Sequence, residues 1–108
     1  MKRAPSLDLQ LAEHPDIVFK DGPAGRRAAL RCGPDVWELI KFLREVDEPG
    51  PAAINAAAEV MAISEPLVCA GVRYYREYSA EIDAEIVVAD RASVDAEQAW
   101  LREQELRR

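Results

Sequence analysis

Histidine, cysteine and large apolar side chains are all scarce in this 108-residue chain. His14 is its one histidine, and Cys32 and Cys69 stand far apart with no CxxC pair. That pattern argues against a zinc site and for reduced, structural thiols in a cytoplasmic protein, with Cys69 as a minor candidate for redox sensing. No apolar run approaches the roughly 20 residues that span a bilayer, and the N-terminus lacks the apolar stretch of a signal peptide. HExxH, a Gly-rich phosphate loop and an evident nucleophile–base pair are all missing, so neither an enzyme nor a cofactor or metal is expected. The acid pairs Asp83/Glu85 and Glu103/Glu105 sit two residues apart and face different sides of a helix, which reads as solvated charge rather than metal ligation.

What is present supports one domain. Hydrophobic residues make up 49% of the chain, enough for a modest core, although alanine supplies much of that fraction. Charge is uneven along the sequence: residues 1–34 carry +2 and residues 35–108 carry −8, within a net charge of −6. A basic opening and a strongly acidic remainder argue against a nonspecific nucleic-acid coat.

Residues 51–78 organise the rest. Ile54, Ala57, Ala58 and Met61 lie at helical spacing, and Val68, Val72 and Tyr75 form an i, i+4, i+7 stripe. Between them, Ala62-Ile63-Ser64 makes a corner. Ser64 is placed to cap the second helix, with Glu65 at the positive end of its dipole and Pro66 in its first turn. Two helices bent over a three-residue corner describe a helix-turn-helix, with an αα-corner inside any small helical domain as the plainer alternative.

Upstream, Leu7, Leu9 and Leu11 alternate with polar residues as a strand would. Residues 16–32 read as a β-hairpin turning at Gly22-Pro23-Ala24-Gly25, with Ala28, Leu30 and Cys32 on one face and Arg27, Ala29 and Arg31 on the other. Asp35 opens a helix with a capping box to Glu38, a buried stripe of Val36, Ile40 and Leu43, and Lys41, Arg44 and Glu45 in water. The periodicity predicts helices over about 35–47, 51–62, 65–78 and 80–105. Ile82, Ile86 and Val87 are expected to touch the domain, and a loosening is expected near Asp90–Ser93. Beyond it Val94, Trp100, Leu101 and Leu106 are spread among charges, with Val87, Val94 and Leu101 repeating at seven. A tryptophan so far from any core-rich stretch marks an arm that folds back, pairs with its own copy or docks into a partner's groove. The fold class is therefore mainly α: a helix-turn-helix domain of homeodomain-like or winged-helix-like type with an N-terminal β-hairpin, over 1–78, and a long C-terminal helical arm over 79–108.

The runs Asp21-Gly22-Pro23-Ala24-Gly25-Arg26-Arg27-Ala28-Ala29-Leu30, Gly33-Pro34-Asp35-Val36-Trp37-Glu38-Leu39-Ile40, Val72-Arg73-Tyr74-Tyr75-Arg76-Glu77-Tyr78 and Glu81-Ile82-Asp83-Ala84-Glu85-Ile86 together resemble the bacterial family called domain of unknown function 433, across roughly residues 16–105. Its members are similar to VapB-type antitoxins, small helix-turn-helix proteins commonly encoded beside a toxin-like protein with a PIN-type nuclease fold. The resemblance implies binding of the chain's own promoter DNA as a homodimer, and neutralisation of a PIN-like toxin by the C-terminal arm. Under that reading DNA contacts fall on Arg26, Arg27, Arg31, Ser64, Pro66, Cys69, Arg73 and Arg76, and toxin contacts on Val94, Trp100, Leu101 and Arg102.

The residues depart from a strong DNA reader. With Val68, Val72 and Tyr75 inward, the outward face of the second helix is Pro66, Cys69, Ala70, Arg73 and Glu77, where Arg73 alone is suited to a guanine edge or a phosphate. Gly71 in mid-helix costs about 0.5–1 kcal/mol against alanine, and the Ala62 corner lacks the glycine often found there. The alternative is an interaction or dimerisation module whose helix-turn-helix has lost DNA binding.

Overall fold

The computed structural model describes residues 13–22 and 25–107. The alternating leucines at 7–11 and the hairpin tip at 23–24 lie outside those residues. The order is β1 (Ile17–Gly22), β2 (Gly25–Leu30), α1 (Val36–Glu45), α2 (Pro51–Met61), α3 (Glu65–Glu77) and α4 (Ser79–Leu106). The chain is mainly helical, with an antiparallel two-stranded hairpin in front and a long helix at the end.

The hairpin pairs Ile17 with Leu30 at its base and Gly22 with Gly25 at its tip. It ends earlier than its alternation predicts. Ala28, Ala29 and Leu30 are all fully buried, because the base packs on α1 and α3 while Ala29 bridges the incoming Asp35. Cys32 is therefore not a strand residue sharing a face with Leu30. It sits exposed in a turn closed by Gly33 N–H on the Leu30 carbonyl, at a left-handed φ of 55°.

The capping box forms at α1, with Glu38 Oε1 accepting the Asp35 N–H at 3.3 Å. Val36, Leu39 and Ile40 face the core, with Trp37, Phe42 and Leu43 half-buried beside them. Lys41 and Arg44 are not simply solvated. They pair with Asp90 and Asp83, and so tie α1 to α4.

On α3 the buried line is Val68, Ala70, Gly71 and Tyr74, whereas the stripe of Val68, Val72 and Tyr75 predicted from spacing is only half-buried beyond Val68. Gly71 explains the rotation. A Cβ there would meet Leu39 Cδ2 at 2.5 Å and Leu30 Cδ2 at 3.1 Å, so its missing side chain lets α3 press against α1 and the hairpin. The helical penalty of that glycine is the condition for close packing. Tyr74 fills the centre, with its ring centroid 5.1 Å from His14 and 4.7 Å from Tyr78.

Core packing extends into α4 through Ile82 and Ile86. Val87, expected to touch the domain, is 65% exposed because it lies on the opposite side of the helix. The loosening expected near Asp90–Ser93 is absent: α4 runs unbroken through it. No single helix among the described residues is long and apolar enough to cross a membrane.

Candidate functional site

Three surfaces hold the residues singled out from sequence. The first is the corner between α2 and α3, where the chain bends by 111°. Ala62 makes the turn in the left-handed region at φ 54°, its N–H bonded to the carbonyls of Ala58 and Glu59. Ser64 then caps α3, its hydroxyl accepting the Leu67 N–H at 3.3 Å. Asn55 donates to Glu65 at 3.2 Å, pinning the two helices across the corner. Pro66, Cys69, Arg73 and Arg76 are all exposed on α3, together with the acids Glu65 and Glu77. Ala70, expected on this outward face, is 3% exposed and belongs to the core.

The second surface is the hairpin with its three arginines, and each is engaged. The Arg26 guanidinium lies 4.2 Å over the Phe19 ring. Arg27 Nε donates to Asp35 Oδ2 at 2.6 Å, and Arg31 Nη2 donates to the Pro15 carbonyl at 2.8 Å. Asp35 is a buried hub: its Oδ2 also accepts the Trp37 indole N–H at 3.2 Å, and Lys20 Nζ lies 3.9 Å from its other oxygen. One carboxylate thus joins both strands to the start of α1, because a charge taken from water has to be paired and hydrogen-bonded.

The third surface is α4 and the groove beside it. Residues 90–103 are exposed throughout, and Trp100 is 57% exposed. Val94, Trp100, Leu101 and Arg102 all lie on this free length, on different sides of it. At its root, a largely apolar groove of about 370 Å³ opens between Gly22 and Gly25 of the hairpin, Trp37 of α1, and Glu85, Val88, Ala89 and Ala92 of α4. Glu85 is not the solvated charge its spacing from Asp83 implied. Its Oε2 is buried without a hydrogen-bond partner. Burial first, then the Glu81 and Asp35 carboxylates, push its carboxyl up to about 7 against the opposing pull of Arg27. Sequence reasoning missed this residue, because the walls that bury it come from remote parts of the chain.

The neighbouring acids have other duties. Asp83 accepts from the Tyr75 hydroxyl at 2.8 Å and pairs with Arg44, and the Tyr75 bond foremost, then Arg44, holds its carboxyl below the usual range. Tyr74 donates to Glu81 at 3.2 Å, and burial followed by that carboxylate raises its phenol well above the ordinary value. Among the described residues, one grouping of metal-ligating type occurs: Glu13, His14 and Glu77, with ligand atoms within 4.8 Å of one another. His14 Nε2 lies 2.9 Å from Glu77 Oε2, a contact that fastens the segment before β1 to the end of α3. No known family model, curated protein or solved structure matches the chain.

Proposed function

We propose that this chain is an antitoxin-like binding protein of the family it resembles by sequence, domain of unknown function 433, and that it acts by laying its C-terminal arm on a PIN-like toxin encoded nearby. The observation that carries this reading is the exposed length of α4. A helix that continues for about five turns beyond the last residue it buries, and presents Trp100 and Leu101 to water, gains nothing from its own fold by doing so. Tryptophan is prominent among interface hot spots, and an acidic arm with a few large anchors suits a groove ringed by basic residues. Arg102 is exposed on the same length of helix, beside Trp100 and Leu101.

The test is binding of the full chain, and of a chain ending at residue 90, to the product of the neighbouring gene. Binding should vanish with the arm, and Trp100→Ala should weaken it by about 2 kcal/mol or more. Equal binding by both lengths would overturn the reading.

DNA binding is the second half of the proposal. The 111° bend falls within the range of about 90–120° for a helix-turn-helix, and Arg73 and Arg76 stand exposed on its second helix. The alternative, an interaction module that no longer meets DNA, draws support from Arg27 and Arg31, each of which already gives one donor to the fold, at Asp35 and Pro15. A promoter fragment that shifts with the native protein at low salt, and less with Arg73→Ala, favours the reader; no shift favours the alternative.

A further inference from the structure

The exposed arm and the groove at its root lie on one side of the same helix. At 100° per residue, Glu85, Ala89, Ala92, Ala96 and Trp100 fall within an arc of roughly 80°. Ala89 and Ala92 line the groove and Ala96 alone stands between it and the tryptophan, so the face carries small residues that a second helix can approach closely. Val87, Val94 and Leu101, the residues that repeat at seven, lie on the opposite face.

We infer that the groove is the receptor for Trp100 of a second copy of this chain. Two α4 helices crossing antiparallel about a two-fold axis between Ala92 and Ser93 place Trp100 of each copy opposite Glu85 of the other. The same register sets Ala96 against Ala89 and Ala92 against Ser93, so small residues meet along about 22 Å between the two anchor points. The arrangement is self-complementary, as a two-fold interface requires, because one face supplies both plug and socket.

The chemistry of the socket selects its occupant. An indole offers a broad apolar body and one N–H donor with no acceptor. The groove offers mostly apolar walls, the Trp37 ring among them, the side chains of Arg26 and Arg27 from the hairpin, and a Glu85 carboxyl with one buried oxygen that has no hydrogen-bond partner. Rotation of the Glu85 carboxyl presents an oxygen to the incoming N–H. The volume of about 370 Å³ sits at the small end of sites that enclose an organic ligand, in keeping with one side chain. The inference goes beyond the toxin reading and is tested without any partner.

The experiment is sedimentation equilibrium of the full chain, four single variants and one double variant, with circular dichroism to confirm that each is folded. Native protein should self-associate, and Trp100→Ala should raise the dissociation constant at least tenfold. Ala96→Glu should do the same, while Val94→Glu, an identical change of charge on the opposite face, should leave association within twofold. Glu85→Ala should weaken association, and its effect with Trp100→Ala should fall short of the sum of the two alone. A monomeric native chain overturns the inference. So does equal disruption by Val94→Glu, which would place the contact on the Val87–Val94–Leu101 face, and so does full additivity of Glu85→Ala with Trp100→Ala.

Discussion

The two halves of α4 share one axis and obey different constraints. From Ser79 to Ala89 the helix is held by its surroundings: Ile82 and Ile86 are in the core, Asp83 is tied to Tyr75 and Arg44, and Glu85 lines the groove with Gly22, Gly25 and Trp37. From Arg91 onward its side chains face water, and local terms dominate: a run rich in alanine, glutamate, glutamine, leucine and arginine, and an i, i+4 pair of Glu103 with Arg107 at 2.6 Å. Such terms are worth tenths of a kcal/mol each, and in most proteins tertiary packing supplies the greater part of helical stability. The difference teaches where to look for fold and where to look for binding. Ile82 and Ile86 in the first region are structural, and Trp100 in the second is open to another molecule.

Tyr74 and Trp100 make the sharpest contrast. Tyr74→Ala should cost about 3–5 kcal/mol of stability, the range for emptying a large buried aromatic site. Trp100→Ala, removing an equally large ring from the arm, should change the unfolding free energy of the monomer by about 0.5 kcal/mol or less. Urea titrations of both variants check the pair, and comparable losses would erase the distinction between the core and the arm.

Next in size is Gly71. Alanine there gains about 0.5–1 kcal/mol in helix preference, yet its Cβ enters space held by Leu39 and Leu30. Overpacking should win, for a net loss of about 1–3 kcal/mol. Stabilisation on Gly71→Ala would show that α1 and α3 are free to move apart.

Glu85 gives a direction in pH. Below its ordinary value of 4.5 the carboxyl is protonated in folded and unfolded chains alike. Between 4.5 and about 7 the unfolded chain releases a proton that the fold retains, so this group lowers stability progressively as pH rises through that window. Above about 7 the loss is complete. Glu85→Gln should therefore be as stable as the native chain near pH 4 and more stable near pH 8, by thermal melts at matched ionic strength. A variant less stable at pH 8 would mean that the carboxylate is held by a favourable partner.

How far the sequence foretold this structure depends on the same division. The change from period two to period 3.6 at Gly33–Asp35 located the hairpin and the first helix, and the Asp35–Glu38 capping box was readable as local chemistry. The corner was readable from Ser64, Glu65 and Pro66 for the same reason. The inward face of α3 was not, because one of its central positions is Gly71, and a stripe that passes through a residue without a side chain is invisible to hydrophobic spacing. Tyr75 therefore looked like the core residue in place of Tyr74. The meeting of Arg27 with Asp35 was not readable either, because nothing local announces it. Glu85 looked solvated, since its groove is assembled from the hairpin tip and Trp37, more than forty residues away.

The central claim is that the fold is complete by the middle of α4 and that the remainder of the helix serves association. Thermal unfolding of a chain ending at residue 90, monitored by the helical circular dichroism signal below the concentration at which the full chain associates, tests it most directly. That chain retains Ile82, Ile86 and the Lys41–Asp90 pair, so the account predicts a cooperative transition within a few degrees of the full chain's midpoint. A broad, non-cooperative melt, or a midpoint lowered by more than about 10 °C, would show that the arm holds the domain together and would contradict it.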